Sequence, residues 1–441
     1  MSTIPPLPIS TNSLSTLSSV PTSNVIPIIK SGSTVREFYD LYFSYVGSTE
    51  APRIFHRWCA ISGIAALLER QCWLPFGHGN IYPNMYVMLM GSPGTRKDTS
   101  INIIKHCLER QGFSRFSADR TSKERFLMDM RSSCFGDVDD TTEEEFLELP
   151  LDINAARYIV AGEFLDFAGK GNIEFITMLG KLWDNIAVYD HPKLHGRSIT
   201  LNNPTVNMLA GNTPQNFALA VPAEATGSGF MSRILLIHGE TTGVKITFPE
   251  SPSESSQHAL DAHITQIMTE VRGAFTLSQA AQDVCTRLYK GYTDIEDHRF
   301  AHYSTRRFTH LLKLVMCFTA ARVSTEISYS DVVQANTLLY YTEARMPKAL
   351  GEYGKSRNSD VSNTVLDIVR RSKVPINATR IWKSVAQDLN RQEEMSDILK
   401  SLTQVGKIKS ANGGFVPHYE KTVVWEESLL DKSFLTWEEM T

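Results

Sequence analysis

Between Met85 and Ser100 the chain reads Met-Tyr-Val-Met-Leu-Met-Gly-Ser-Pro-Gly-Thr-Arg-Lys-Asp-Thr-Ser. Tyr86–Met90 is an apolar run too short for a helix and rich in strand formers. Gly91–Gly94 is a tight glycine-proline turn, and Lys97 opens a helix read over Thr99–Glu109. A strand, a glycine-rich loop and a helix with lysine in its first turn make the geometry of a phosphate-binding loop. Glycines let backbone N–H groups point at an anion, and the helix N-terminus adds unpaired donors and a favourable dipole. Lys97 reaches the β- and γ-phosphates as a point charge. Against the pattern G-x-x-x-x-G-K-[ST], Gly91 and Lys97 fit. Arg96 occupies the second glycine position, and Asp98 stands where a magnesium-binding Ser or Thr belongs. The candidate phosphate-binding residues are Gly91, Ser92, Pro93, Gly94, Thr95, Arg96, Lys97, Asp98 and Thr99. The alternative is an ordinary strand-turn-helix whose lysine faces water.

At 441 residues the chain has room for roughly three structural units. Its 42% hydrophobic and 21% charged content is that of globular protein. A net charge of −4 excludes a bulk basic field, so nucleic-acid binding would need a local patch. The 6 cysteines are scattered without C-x-x-C spacing, which points to a reducing, cytoplasmic-type compartment and away from zinc. No apolar run is long enough to span a membrane, and residues 1–32 lack the pattern of a signal peptide.

Residues 1–33, rich in Ser, Thr and Pro, read as disordered. Residues 34–80 read as two helices. Phe38, Leu41, Tyr42 and Tyr45 form an apolar stripe in the first, read as core, and Pro52 restarts the second. A short strand falls between Phe113 and Phe116. Thr121 and Glu124 suggest a capping box for a helix Lys123–Arg131. The acidic run Asp137–Glu148 reads as a solvated loop. Arg157–Gly162 followed by Glu163 suggests a buried parallel strand with a carboxylate at its C-terminal edge, where doubly wound sheets place ligands. Pro204–Ala210 and Ile234–His238 read as further strands. Residues 81–250 therefore alternate strands and helices around one phosphate loop, an α/β core. Residues 256–350 are helical, with Arg299, Arg306, Arg307 and Lys313 in a basic stretch. Residues 360–418 read as three short helices and a two-stranded wing, a winged helix. Glu393, Glu394 and Asp397 at the start of its third helix argue against tight base readout. Residues 419–441 are an acidic-aromatic tail suited to a partner.

The order of these pieces resembles an AAA+ ATPase, specifically the ring helicases of phage and plasmid replication, kin to superfamily 3 helicases. The resemblance rests on Gly-Ser-Pro-Gly-Thr-Arg-Lys, Gly-Asn-Thr-Pro at 211–214 and Gly-Phe-Met-Ser-Arg at 229–233. It covers residues 35–345, most clearly 85–240. The stretch 304–321 also looks like the lid of minichromosome maintenance helicases. The fold implied is an AAA+ P-loop core with an N-terminal helical collar, a helical lid and a C-terminal winged helix.

The resemblance implies a catalytic set. Glu163 matches the acid that orients the attacking water, and Asn212 matches sensor 1. Arg233 matches the arginine finger that enters a neighbouring subunit's site, and Arg306, with Arg307 beside it, matches sensor 2. Each has a plainer alternative: a surface acid, a turn former, a surface ion pair. The family's strand usually ends Asp-Glu, whereas Gly162 stands in the Asp position here. Asp98 and Glu163 are therefore the candidate magnesium ligands, Asp98 replacing both missing ones, with Asp166 a second candidate. The other reading is a site that binds nucleotide without turning it over.

Between the Glu163 segment and the strand Pro204–Ala210, residues 189–200 fit a β-hairpin with Gly196 in its turn. In the family it resembles, such a hairpin projects into the ring's pore. Lys193, His195 and Arg197 are the candidate DNA contacts; the alternative is a solvated basic turn. The expected protein is an ATP- and Mg2+-dependent DNA helicase of a phage or mobile element, in the cytoplasm of its host. It would form a homo-hexameric ring on single-stranded DNA and meet a primase or other replication protein through its tails. The rival is a nucleotide-gated DNA-binding or loading scaffold with little turnover. A nucleotide-switched regulator, without ring or DNA stimulation, is the third reading.

Overall fold

β3 (Tyr86–Met90) has no polar side to offer water, and it is buried at every position. So is β7 (Thr205–Asn212). Strands apolar on both faces belong in the middle of a parallel sheet covered by helices. In the computed structural model the main sheet has the order β4-β7-β3-β8, where β4 is Ala156–Ala161 and β8 is Ile234–His238. All three pairings are parallel, with Met90 opposite both Asn212 and His238, and Ala161 opposite Ala210. The strand that carries Asn212 thus lies between the one that leads into Lys97 and the one that leads into Glu163. The residues described are 36–135, 155–190, 199–201, 203–222, 229–292, 294–295, 297–351, 357–372, 374–387, 389, 391–404, 408–411 and 413–418.

The N-terminal helices α1 (Arg36–Val46) and α2 (Arg53–Leu68) do not stand apart from the sheet. α2 is buried along almost its whole length and packs on β3, β7, β8 and α3 (Lys97–Arg110). The α1 stripe turns Phe38 and Tyr42 fully into the same core. α4 (Lys123–Phe135) opens at Ser122, whose Oγ accepts from Arg125 N at 3.2 Å; Thr121 and Glu124 do not form the expected capping box. Phe113–Phe116 contributes only a bridge, Phe116 to Tyr158, at the β4 edge. Two elements beyond the sequence reading are β1 (Cys72–Phe76) and β2 (Gly79–Ile81), an antiparallel pair. β1 also pairs with β9 (Gly273–Ala274), Cys72 lying opposite Gly273.

After β4 come α5 (Phe164–Ala168) and α6 (Ile173–Trp183), then an antiparallel pair, β5 (Val188–Asp190) and β6 (Ile199–Leu201). α7 (Pro214–Ala220) follows β7. The region beyond β8 is largely helical: α8 (Glu254–Glu270), α9 (Gln279–Gly291), α10 (Ala301–Ser304), α11 (Arg307–Ala321), α12 (Tyr329–Glu343) and α13 (Met346–Leu350). A Ser328–Asp331 capping box starts α12, and the short parallel pair β10 (Thr276–Leu277) and β11 (Glu326–Ile327) braces this layer. Residues from Phe38 to Leu350 share one apolar core.

A second core gathers Val361, Val365, Ile381, Leu399 and Ile408. It joins α14 (Arg357–Arg371), α15 (Ala378–Val385) and α16 (Gln392–Gln404) to the antiparallel pair β12 (Ile408–Ala411) and β13 (Gly414–Pro417). No helix among the described residues is long and apolar enough to cross a membrane. Both tails and the acidic run 137–148 lie outside the described residues.

Candidate functional site

The loop from Gly91 to Arg96 is shaped by its glycines and by one residue that is not glycine. Arg96 adopts the left-handed backbone, φ 59° and ψ 34°, that the pattern's second glycine would adopt freely. Its guanidinium is tied to Glu50, Nε to Oε2 at 2.7 Å. Glu50 in turn accepts Ile246 N at 2.9 Å. The loop is thus anchored to the connection between α1 and α2.

Lys97 is 7% exposed and folds back over the loop. Its Nζ donates to Gly91 O at 2.9 Å, Ser92 O at 3.3 Å and Thr95 Oγ1 at 3.3 Å. Burial lowers its pKa, while Glu163 and Asp98 act to hold the charge. An ammonium satisfied only by the concave side of a loop is placed to transfer its donors to an anion bound there.

The sheet brings the other candidates to the same edge. Gly211 lies so close to the end of β4 that a Cβ there would sit 2.3 Å from Gly162 O and 3.4 Å from Lys97 Cβ. Gly162 abuts Asp98: a Cβ at 162 would meet Asp98 Oδ1 at 2.8 Å. Asp98, in the first turn of α3, therefore puts its carboxylate where a side chain at 162 would otherwise stand. Asp98 and Glu163 flank this point, and such a pair of carboxylates suits a magnesium ion completed by phosphate oxygens and water. Among the described residues no group of three or more His, Cys, Asp or Glu gathers as a self-sufficient metal site. Asp166 sits in the first turn of α5, close enough to Glu163 to raise its pKa.

Glu163 precedes α5 and accepts Asn216 Nδ2 at 3.3 Å. Burial raises its pKa, and the Asn216 bond and Lys97 pull against that rise. Asn212 is fully buried at the end of β7. Its Oδ1 accepts Thr213 N at 3.1 Å, and its Nδ2 is buried without a partner. Buried donors rarely go unpaired, so this amide, on the strand between those leading to Lys97 and Glu163, is a donor that a ligand at this edge would satisfy.

Beside the loop, a cavity of about 570 Å³ is lined by Phe43, Arg53, His56, Glu240, Thr242 and Ile246, among others. His56 accepts or donates at Nε2 to Thr49 Oγ1, 2.8 Å away, and its Nδ1 is buried and unpaired. Burial pushes its pKa down to about 4, so it is neutral.

Arg233 and Arg306 are elsewhere. Arg233 precedes β8, at the end of the sheet opposite the loop, separated from it by the length of β8, about 16 Å at roughly 3.3 Å per residue. Both arginines bind Asp184, at the end of α6. Neither serves the Lys97 edge of its own chain. Arg307 is distinct from its neighbour: it is 3% exposed and bonded to Glu343 at 2.8 Å and Asn336 at 2.9 Å, inside the core.

β5 and β6 pair antiparallel, Val188 opposite Leu201 and Asp190 opposite Ile199. Lys193, His195 and Arg197 fall between them in the sequence, outside the described residues. Sequence reading missed Asp184 and Asn216, because each acts on partners from distant parts of the chain.

No protein-family model matches the chain, and no curated protein matches it.

Proposed function

We propose that the chain is an ATPase of the AAA+ type that drives a DNA helicase ring, with one nucleotide site at each contact between copies. The observation that carries this reading is the split of the candidate residues between two ends of one parallel sheet. Lys97, Asp98, Glu163 and Asn212 meet at the C-terminal edge of the strands. Arg233 and Arg306 meet at the N-terminal edge. A site built from both needs a second copy, and a head-to-tail contact of this kind makes a ring when the rotation between copies closes.

In this reading Lys97 moves its donors from Gly91 O and Ser92 O to the terminal phosphates. Asp98 and Glu163 would hold Mg2+, which supplies charge neutralisation at the phosphates when bound. Glu163 orients water, its carboxylate steered by Asn216. Asn212 Nδ2 donates to the terminal phosphate or the water. Arg233 from a neighbouring copy offsets charge on the transferred phosphoryl; such a group is worth roughly 10³–10⁵ in rate. The cavity at Phe43 and His56 takes the base. The hairpin 188–201 is the DNA-facing element, through Lys193, His195 and Arg197.

The rival, a scaffold with little turnover, draws on one observation: the metal-side carboxylate has moved from position 162 to position 98. Steady-state ATP hydrolysis with and without single-stranded DNA separates them. Hydrolysis that rises with DNA and vanishes in Lys97→Ala is expected. Tight nucleotide binding with no turnover would favour the scaffold.

A further inference from the structure

Asp184 is shared by two cations. Its Oδ2 accepts Arg233 Nε at 3.1 Å as well as Arg233 Nη2, and its Oδ1 accepts Arg306 Nη1 at 2.9 Å. The side chains are 12% exposed for Arg233, 33% for Arg306 and 21% for Asp184, so the cluster is partly sheltered yet open on one side. Behind it Lys313 Nζ lies 4.4 Å from the Trp183 ring, with Arg306 5.6 Å from the same ring. Lys313 is fixed there by Tyr82 O and Asn84 Oδ1, each at 2.8 Å. Two guanidinium groups converge on one carboxylate, while burial lowers the pKa of Lys313 behind them to about 7. A sheltered excess of positive charge favours a further anion.

The same aspartate sits at the root of the hairpin. It caps α6, and the next residue, Asn185, has a left-handed backbone (φ 58°). Asn185 Nδ2 donates to Pro204 O at 3.0 Å, so the outgoing and returning legs of the β5–β6 hairpin are joined one residue from the cluster.

We propose that Asp184 is a positioning residue that presets Arg233 and Arg306 as a joint acceptor for the terminal phosphate held by a second copy of this chain, and that transmits the filling of that acceptor to the hairpin. The proposal rests on the nucleotide reading above. An entering phosphate competes for N–H groups now donated to Asp184. The turn 184–187 is then held less tightly, and the hairpin legs gain freedom.

The test uses the full chain with D184N, which keeps shape and removes charge, and D184E, which keeps charge on a longer stem. Nucleotide Kd is read with a fluorescent ATP analogue, and kcat is read with and without single-stranded DNA. Kd is expected to stay within about twofold while kcat falls about tenfold or more and DNA stimulation disappears, with D184E recovering part of both. A purely structural role would move Kd and thermal stability together with kcat, and that result overturns the proposal. So does a D184N enzyme with unchanged kcat and DNA stimulation. If D184N does not fold, D184E alone decides: reduced kcat at constant Kd supports the proposal, and unchanged kcat and DNA stimulation reject it. A parent chain that neither binds nor hydrolyses ATP removes the nucleotide reading as well; a working motor indifferent to residue 184 removes only this proposal.

Discussion

On the proposed reading positions 98 and 162 are the two that can supply the metal-side carboxylate, and they compete for one volume. With Asp98 in place, an aspartate at 162 would bring its Cβ to within 2.8 Å of Asp98 Oδ1 and set two carboxylates against each other. G162D is therefore expected to lose ATP hydrolysis, and the double variant G162D/D98S to regain it, because the carboxylate returns from the end of β4 instead of from α3. Hydrolysis by G162D equal to that of the parent would show that the two positions do not exchange roles. Adjacent arginines divide in a similar way. Arg307 is locked to Glu343 and Asn336 inside the core, so R307A should cost about 3–5 kcal/mol of stability by stranding Glu343. R306A should leave the thermal midpoint near the parent value and lower only kcat. Thermal melts of the pair beside their steady-state rates check both statements.

At the scale of elements, the hairpin is the part whose purpose is easiest to test. Its legs are paired from Val188 opposite Leu201 to Asp190 opposite Ile199, which leaves Lys193, His195 and Arg197 in the connecting segment. K193A/R197A is expected to weaken single-stranded DNA binding and flatten its dependence on salt, since fewer counterions are released. A binding isotherm series across salt that overlays that of the parent would assign the contact to another element. The elements most legible in the sequence were those whose signal is local. Tyr86–Met90 and Ile234–His238 are unbroken apolar runs between turn formers, and their bounds match the strands. The start of α12 is local in the same sense, Ser328 and Asp331 closing a capping box within four residues. The pairing of β1 was not legible: Pro75 lies within it, and its second partner, β9, comes from far along the chain, Gly273 opposite Cys72. Lys97 and Glu163 followed from strand ends, and Asn212 from the resemblance, since its strand was read only to Ala210 and runs on to Asn212. Asp184 did not, because its meaning lies in partners at 233 and 306.

For the whole molecule, the consequence of the parallel sheet is polarity. One end presents the loop, Asn212 and Glu163, and the other presents Arg233 and Arg306. On the proposed reading each chain would hold half of two sites, and activity would belong to a contact between copies. Complementation tests this most directly. K97A and R233A are each expected to be inactive alone in steady-state ATP hydrolysis, for opposite reasons. Mixed in equal amounts, they should recover up to about a quarter of the parent rate, because an intact loop meets an intact arginine at about one contact in four. Mixtures as inactive as the separate variants, or an R233A protein that hydrolyses ATP at the parent rate by itself, would contradict a site shared between copies.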